Sequence, residues 1–132
     1  MSAGEVRCID PEGWPVMETV AWAVVDRTTV YASGIVPTDG SGNLLGADDP
    51  KIQAKACFDN IEQLLDAAGS SIDDILRLTC FATSSKAARA FGAEHLRRIK
   101  RKHAATMIVI NELIVPGAMF EVEVIARQIL AL

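Results

Sequence analysis

A turn followed by a strand is encoded at residues 116–126, PGAMFEVEVIA. The Pro-Gly pair favours a turn, and the residues after it alternate between apolar and charged side chains. Alternation with a period of two is typical of a strand that buries one face against a core. Glu121 and Glu123 therefore share the face that points away from the apolar side chains.

The elements upstream of this strand are short and clearly separated. Two runs rich in β-branched and aromatic side chains predict a hairpin, and a loop with three glycines follows it at residues 37–48. We predict the following elements in chain order: strands at 19–25 and 28–33, a helix from Pro50, a strand at 76–83, a helix at 86–101, and strands near 105–111 and 119–130. This order favours an α+β sandwich in which both helices cover one face of a mixed sheet.

The first helix has clear start and stop signals. Asp49 can accept hydrogen bonds from the free N–H groups of the first turn. Pro50 has no backbone N–H, so it leaves no donor unpaired at the first helical position. Gly69 is placed to end the helix. Apolar residues recur at steps of three and four and predict the buried stripe: Ala54, Cys57, Phe58, Ile61, Leu64, Leu65 and Ala68. The inner stripe of the second helix, capped by Ser84 or Ser85, is predicted at Ala88, Phe91, His95 and Ile99.

Length and composition indicate one domain spanning residues 1–132. Half of the 132 residues are hydrophobic, which is enough for a single core. Two helices shield only one face of the sheet, so we expect a second copy of the chain to cover the other. The N-terminus lacks the features of a signal peptide, and no apolar run approaches the roughly 20 residues that span a bilayer. We expect a soluble, cytoplasmic protein without a membrane partner.

The balance of charge disfavours a nucleic-acid-binding role. The chain has 13 lysine and arginine residues against 17 aspartate and glutamate residues, a formal net charge of −4. A protein that binds nucleic acid through its phosphates needs a broad positive surface. The basic run at 97–103 has no interleaved aromatic residue for base stacking, and cations near a helix C-terminus also complement the helix dipole. We expect small-molecule or protein partners.

The cysteines and histidines do not form a recognisable metal or disulfide pattern. Cys8, Cys57 and Cys80 are widely spaced and read as small core hydrophobes. His95 and His103 lie eight residues apart without a third ligand at a suitable spacing, which argues against zinc. His95 is predicted to be a core histidine with a hydrogen-bond partner.

Four motifs together carry a family resemblance. They are SGIVP at 33–37, DNI at 59–61, LLDAAGSSIDD at 64–74 and EVEVIA at 121–126. In this order and spacing they resemble the Rid family, also called YjgF or L-PSP, from about Thr19 to the end of the chain. The resemblance implies a chorismate-mutase-like α+β fold assembled as a homotrimer, with ligand-binding clefts at the subunit interfaces.

The resemblance also implies a chemistry. Similar proteins hydrolyse reactive imines or enamines such as 2-aminoacrylate to keto acids and ammonia, without a metal or cofactor. Water must add to a C=N bond while the nitrogen is protonated, so a positioned acid/base group and a group that holds the substrate are sufficient. In the family a glutamate on the last strand orients the water, and an arginine on the penultimate strand clamps the substrate carboxylate.

Transferring these roles position by position gives a mixed result. Glu121 matches the family's glutamate and is the predicted catalytic residue. The predicted substrate-binding residues are Ser33, Gly34, Ile35, Thr106 and Phe91. Thr106 occupies the position of the family's arginine, and a neutral hydroxyl cannot replace a bidentate guanidinium clamp. The nearest cations along the chain are Arg101 and Lys102.

Three functions of different classes are open at this point. The first is a cofactor-independent imine or enamine hydrolase with a non-standard substrate, favoured by the match at Glu121. The second is a non-catalytic trimer that binds a small metabolite or a partner enzyme in the same clefts, favoured by the loss of the arginine at Thr106. The third is an L-PSP-type endoribonuclease, for which the basic run at 97–103 is the one supporting feature.

Overall fold

The structure is a computed structural model that describes residues 5–131 of the chain. A six-stranded mixed sheet carries two long helices on one face, which confirms the predicted α+β architecture. The elements in chain order are β1 (Val6–Ile9), β2 (Ala23–Asp26), β3 (Thr29–Ala32), α1 (Pro50–Ala67), a 3₁₀ turn (Ile72–Asp74), β4 (Ile75–Ala82), α2 (Ser85–Arg98), β5 (Ala104–Val109) and β6 (Phe120–Arg127).

The sheet has the strand order β1-β2-β3-β6-β4-β5. Strands β4 and β5 run parallel and are connected through α2, whereas the other neighbouring pairs are antiparallel. Strand β6 therefore lies inside the sheet, between the hairpin strand β3 and strand β4. Its Glu121 is opposite Phe81 and its Glu123 is opposite Thr79, while Thr79 in turn pairs with Thr106 on β5.

Helix α1 forms as its sequence predicts. The Asp49 carboxylate accepts hydrogen bonds from the backbone N–H groups of Lys51 and Ile52, at 3.0 and 3.2 Å. At the other end Gly69 adopts a φ of 75°, a left-handed conformation that favours glycine. Every residue of the predicted apolar stripe is buried against the sheet or α2.

Helix α2 is shorter than predicted. Ser84 is its N-cap, since the hydroxyl accepts a hydrogen bond from the backbone N–H of Ala87 at 3.0 Å. The helix ends at Arg98 because the backbone of Ile99 turns to an extended conformation, with φ −104° and ψ 124°, and its side chain is buried. The residues from 99 to 103 thus lead out of the helix toward β5 and lie outside any regular element.

The strands differ from the prediction in several places. The strand predicted at 19–25 is found at Ala23–Asp26, and the one predicted near 119–130 is found at Phe120–Arg127. Strand β1 was not predicted, because a four-residue segment with an arginine inside it carries too little alternation to be recognised. In the sequence Leu76 shares the alternation of Leu78, Cys80 and Ala82, but its side chain is 41% exposed. The reason is a register shift against β6 between Ile75 and Arg77, since a bulge reverses the faces of the residues on its two sides.

The sheet face opposite the helices remains only partly covered. Apolar side chains on this open face are half-exposed or exposed in the structure: Val24, Tyr31, Phe81, Ile108 and Ile125. Glu121, Glu123 and Thr106 project from the same face, because they share the alternation of these residues. No helix within residues 5–131 is long and apolar enough to cross a membrane.

Candidate functional site

Glu121 lies against the backbone of Gly34 on the open face. Ile35 donates its N–H to the carbonyl of Val122 at 2.7 Å, and Val122 donates to the carbonyl of Ile35 at 2.9 Å. This bridge holds the preceding residue, Gly34, beside the carboxylate. A Cβ atom at position 34 would lie 2.6 Å from Oε2 of Glu121, so the glutamate can occupy this place only because residue 34 has no side chain.

The environment of Glu121 favours its protonated form. Partial burial raises the pKa of its carboxyl group, and the negative charge of Glu123 on the same strand face raises it further. Among residues 5–131 no group donates a hydrogen bond to the Glu121 carboxylate. A carboxyl group with a raised pKa and free oxygen atoms is suited to exchange a proton with a bound molecule.

Ser33 and Ile35 hold this arrangement in place. The Ser33 hydroxyl donates to the carbonyl of Ala21 at 2.7 Å, and its N–H donates to the carbonyl of Trp22 at 2.8 Å. The Ser33 oxygen can still accept a hydrogen bond from a ligand. Ile35 has both backbone groups bonded to Val122 and a buried side chain, so it offers a ligand no free polar group.

Thr106 contacts a cation that was not predicted. Its hydroxyl accepts a hydrogen bond from Nη2 of Arg77 at 2.6 Å. Arg77 lies on β4 and reaches across to β5, so the guanidinium group sits beside the position at which the family has its own arginine. Arg101 and Lys102, the nearest cations along the chain, make no contact with Thr106 in the structure, because both lie in the exposed segment after α2.

The polar groups form two separate clusters within one chain. Glu121, Gly34 and Ser33 form one cluster on one side of β4, and Thr106 lies on the other side. Thr106 is two strands away from Glu121, and along β5 it lies two residues from Ile108, which is level with Glu121. With strands about 4.8 Å apart and a rise of about 3.3 Å per residue, Glu121 and Thr106 are separated by about 12 Å.

An open concavity of about 310 Å³ lies on the sheet beside Arg77. Its lining residues come from β3, β4 and β6: Tyr31, Ala32, Arg77, Thr79, Glu123, Val124 and Ile125. A small ligand can therefore contact the guanidinium group of Arg77 without reaching Glu121 of the same chain.

Phe91 is a predicted site residue that the structure places elsewhere. Its side chain is 1% exposed, and its ring stacks on Phe58 with 4.9 Å between the ring centroids. It also packs against Phe120, at 5.5 Å, in the layer between the helices and the sheet. The prediction that Phe91 lies on the inner face of α2 is therefore confirmed. Because this face packs against the sheet, Phe91 is not exposed on the open face, where a ligand could bind.

The first part of the basic run is compensated by carboxylates. Arg98 is 15% exposed and lies 3.0 Å from Asp59, 3.1 Å from Glu94 and 3.8 Å from Glu62. Its guanidinium carbon also lies 5.7 Å from the ring centroid of Phe58, so the side chain ties α2 to α1. The charge of Arg98 is thus compensated, and the residue is not available to a phosphate backbone.

Histidines and cysteines play structural roles. His95 is half-buried, and its Nε2 is 2.7 Å from Nε2 of His103, which supplies the predicted partner. Burial raises the pKa of Cys80 to about 12 and raises that of Cys57 well above its usual value, so both thiols stay protonated. Cys8 is exposed, contrary to the prediction of a core residue. Within residues 5–131 no group of three or more acidic, histidine or cysteine side chains could hold a metal ion.

Arg77 is the polar residue of this face that sequence reasoning did not identify. The alternation of β4 does place Arg77 on the same face as Thr79 and Phe81. What the sequence did not contain was the parallel pairing of β4 with β5, which places residue 77 opposite residue 104 and lets the long Arg77 side chain reach residue 106. Residues 29 positions apart meet here only through the tertiary arrangement.

The fold and the strand glutamate define a class, an α+β protein of the YjgF/L-PSP type. A model of the family described as Endoribonuclease L-PSP matches residues 16–128. The chain is 29% identical to a RutC family protein of Sulfurisphaera tokodaii over 106 residues, which cover 80% of this chain and 85% of that protein.

Solved structures agree with this match. An L-PSP protein of Entamoeba histolytica superimposes with a TM-score of 0.81 and 26% identity, covering 94% of this chain and 100% of the other. The conserved Rid-family protein YyfA of Yersinia pestis superimposes with a TM-score of 0.86 and 25% sequence identity. The superposition covers 93% of this chain and 99% of YyfA. This chain therefore belongs to the L-PSP family, also called Rid or YjgF.

Proposed function

We propose that this protein hydrolyses the C=N bond of a reactive imine, either supplied as such or formed from an enamine by proton transfer to carbon, without a cofactor. Water adds to the imine carbon while the nitrogen takes up a proton, and the resulting carbinolamine expels ammonia and leaves a carbonyl group. The reaction needs one group that can accept and return a proton. Glu121 is the group that fits, and the observation that carries the proposal is its position against the backbone of Gly34, where no group within residues 5–131 donates a hydrogen bond to its oxygens. Partial burial, which raises the pKa of this carboxyl group, agrees with the role.

The site is proposed to be completed by a second subunit of a homotrimer. Two observations support this assembly: apolar side chains are exposed on the open face, and Glu121 is separated from Thr106 by about 12 Å within one chain. Sedimentation at micromolar concentration should give three times the 14.2 kDa mass of one chain. A species of single-chain mass would contradict the assembly.

A coupled assay tests the proposed reaction. A pyridoxal-phosphate enzyme that releases 2-aminoacrylate, and an amino-acid oxidase that releases short imino acids, would generate the substrates in the cuvette. We expect the protein to accelerate the loss of the imine signal well above the rate in buffer. No acceleration with any of these substrates, while a ligand still binds in the cleft, would favour the non-catalytic alternative.

Replacing Gly34 by alanine should lower activity without unfolding the protein. The added methyl group would meet Oε2 of Glu121 and displace this flexible side chain, because the two atoms would otherwise be 2.6 Å apart. A small displacement of a catalytic group costs up to about a hundredfold in rate, so we expect kcat/KM to fall by about tenfold to a hundredfold. Gly34→Ala should change the free energy of unfolding by less than about 1 kcal/mol.

The matched control is Gly40→Ala in the loop after β3. A Cβ atom there would make an ordinary contact, at 3.7 Å from the carbonyl of Gly13. Gly40→Ala should therefore keep the activity of the parent protein in the same assay. Full activity in Gly34→Ala would show that the carboxylate of Glu121 does not act from its position in this structure.

The non-catalytic alternative rests on Thr106. A chain without the strand arginine could bind a ligand in the cleft and release it unchanged. The ribonuclease alternative, to which the name of the family refers, has less support. Arg98 forms ion pairs with three carboxylates, and the net charge of −4 disfavours binding to the phosphates of RNA. Retention of RNA that is lost steeply with salt and abolished by Arg101→Gln would revive it.

A further inference from the structure

We propose that His95 and His103 form a pH-sensitive link between the last turn of α2 and the start of β5. The two rings are a histidine pair joined by one hydrogen bond, which persists while at least one ring is neutral. When both rings carry a positive charge the bond breaks, and β5 is released from the helix. Neither histidine belongs to the candidate site at Glu121, so the link is independent of the proposed hydrolysis.

The hydrogen bonds of the histidine pair assign a proton to each ring. Nδ1 of His103 lies 2.7 Å from the carbonyl oxygen of Ala104, and because a carbonyl can only accept, this nitrogen carries a proton. In the neutral ring Nε2 of His103 is then unprotonated and accepts a hydrogen bond. The donor is Nε2 of His95, which lies 2.7 Å away. One chain of hydrogen bonds thus runs from α2 to the first residue of β5.

The histidine pair tolerates one positive charge but not two. A proton added to Nδ1 of His95 leaves the bond between the Nε2 atoms intact and strengthens it, because its donor is then charged. A further proton on Nε2 of His103 gives two N–H groups that face each other at 2.7 Å with no acceptor between them. Repulsion between the two charged rings acts in the same direction. The doubly charged pair therefore separates.

The surroundings of the histidine pair disfavour the second charge. Partial burial, followed by the charge of His103, lowers the pKa of His95. Phe58 of α1 packs edge-on against the His95 ring, with 6.3 Å between the ring centroids. Three consecutive cations, at residues 100–102, line the same concavity as both rings, whereas β5 contributes only the uncharged Ala105. Within residues 5–131 neither ring forms an ion pair with a carboxylate.

The carboxylates around the histidine pair have other partners. The remaining charged groups come from α1, the last turns of α2 and the 3₁₀ turn: Asp59, Glu62, Glu94, Arg97, Arg98 and Asp73. The three glutamates and aspartates of the helices pair with Arg98, and Asp73 accepts a hydrogen bond from the backbone N–H of Lys100 at 3.0 Å. Despite partial burial, hydrogen bonds from basic side chains lower the pKa of Asp59 and of Glu94, so these ion pairs persist in mild acid.

Strand β5 depends on this link because little else holds it. It is the edge strand of the sheet and pairs with β4 alone in the part of the chain that the structure describes. Its residues are exposed except for the half-buried Thr106, and residues 99–103 before it belong to no regular element. A segment with few buried contacts opens at low cost in free energy. Loss of the bond to His95 should therefore appear as more frequent opening of β5.

Acid is the condition that opens the link. Because the pKa of His95 is lowered from its ordinary value of 6.5 in the closed form, the open form binds protons more readily. The link thus contributes stability above about pH 6.5 and loses it as pH falls through the lowered pKa. Between the two pKa values, each pH unit raises the ratio of open to closed forms by up to about tenfold.

Amide hydrogen exchange of residues 104–109 tests the link. It would be measured by NMR on the full-length protein at about pH 7.5 and about pH 5, on either side of the ordinary histidine pKa. After correction for the intrinsic pH dependence of exchange, opening of these amides in the parent should rise by about tenfold at the lower pH.

Two variants at position 103 make the test specific. His103→Gln places a neutral amide oxygen near the position of Nε2, so its amide opening should change by less than about twofold between the two pH values. His103→Ala removes the acceptor, and its β5 should be open to the same extent at both. If His103→Ala does not fold, the comparison of the parent with His103→Gln still decides.

Imidazole nitrogen-15 shifts of the same samples report where the protons are. At about pH 7.5 we expect the proton of His103 on Nδ1 and that of His95 on Nε2. The opposite tautomer of His103 would contradict the assigned chain of hydrogen bonds. The inference is overturned if β5 of the parent keeps its protection at about pH 5, or if the parent and His103→Gln lose protection equally.

Discussion

Glu121→Gln is expected to lower kcat by about a hundredfold to ten-thousandfold, the usual contribution of a general acid or base. Glutamine has nearly the same shape and keeps hydrogen-bonding capacity, but its amide cannot take up or release a proton near neutral pH. The side chain should still fit beside Gly34, since the carboxylate makes no hydrogen bond within residues 5–131 that the amide would break. Rates of loss of 2-aminoacrylate, measured in the coupled assay at saturating substrate generation, give the effect.

Glu123→Gln is the matched control for this prediction. Both glutamates project from the same face of β6, and the charge of Glu123 contributes to the raised pKa of Glu121 after the larger effect of burial. Removing that charge lowers the pKa of Glu121. If protonated Glu121 supplies the proton, activity falls as pH rises through this pKa, and Glu123→Gln should shift the fall to lower pH while keeping the maximal rate. Glu121→Gln with parental activity would remove Glu121 from the mechanism.

Phe91→Ala is expected to destabilise the protein by about 3–5 kcal/mol, the range for removing a buried aromatic ring. The Phe91 ring lies between Phe58 and Phe120 and is closed off from solvent, so its loss leaves a cavity that the helices and the sheet cannot easily fill. Urea denaturation, followed by far-ultraviolet circular dichroism, would give the change in the free energy of unfolding.

Leu96→Ala on the same helix is the control for Phe91. The Leu96 side chain is 78% exposed, and its truncation should change stability by less than about 0.5 kcal/mol. The comparison also tests the role that sequence reasoning assigned to Phe91. A Phe91→Ala protein that is as stable as the parent but inactive in the coupled assay would support the original prediction that Phe91 is a substrate-binding residue.

Much of the fold could be predicted because its signals are local. The Asp49 cap, the glycine at position 69 and the stripe of α1 depend on neighbours within one helix. The alternation on β6 likewise assigns Glu121 and Glu123 to one face. The errors arose where local patterns were interrupted, as at the bulge that exposes Leu76 and at the end of α2 before Ile99.

The candidate site was likewise predicted in part from the sequence. The resemblance to the family predicted Glu121, Ser33 and Gly34 as site residues, and it placed Thr106 where the family has an arginine. It could not show that Gly34 touches the carboxylate, because the contact depends on the bridge between Ile35 and Val122. Nor could the spacing show that Phe91 is closed off in the core.

The sequence by itself determined the fold class, the family and the strand face that carries Glu121, since periodicity, caps and motif order are properties of the chain. Only the tertiary structure decided where the positive charge lies. Arg77 reaches Thr106 because β4 and β5 pair in parallel, and strand pairing is set by the packing of the whole sheet rather than by either strand. The contact joins two residues that are 29 positions apart along the chain.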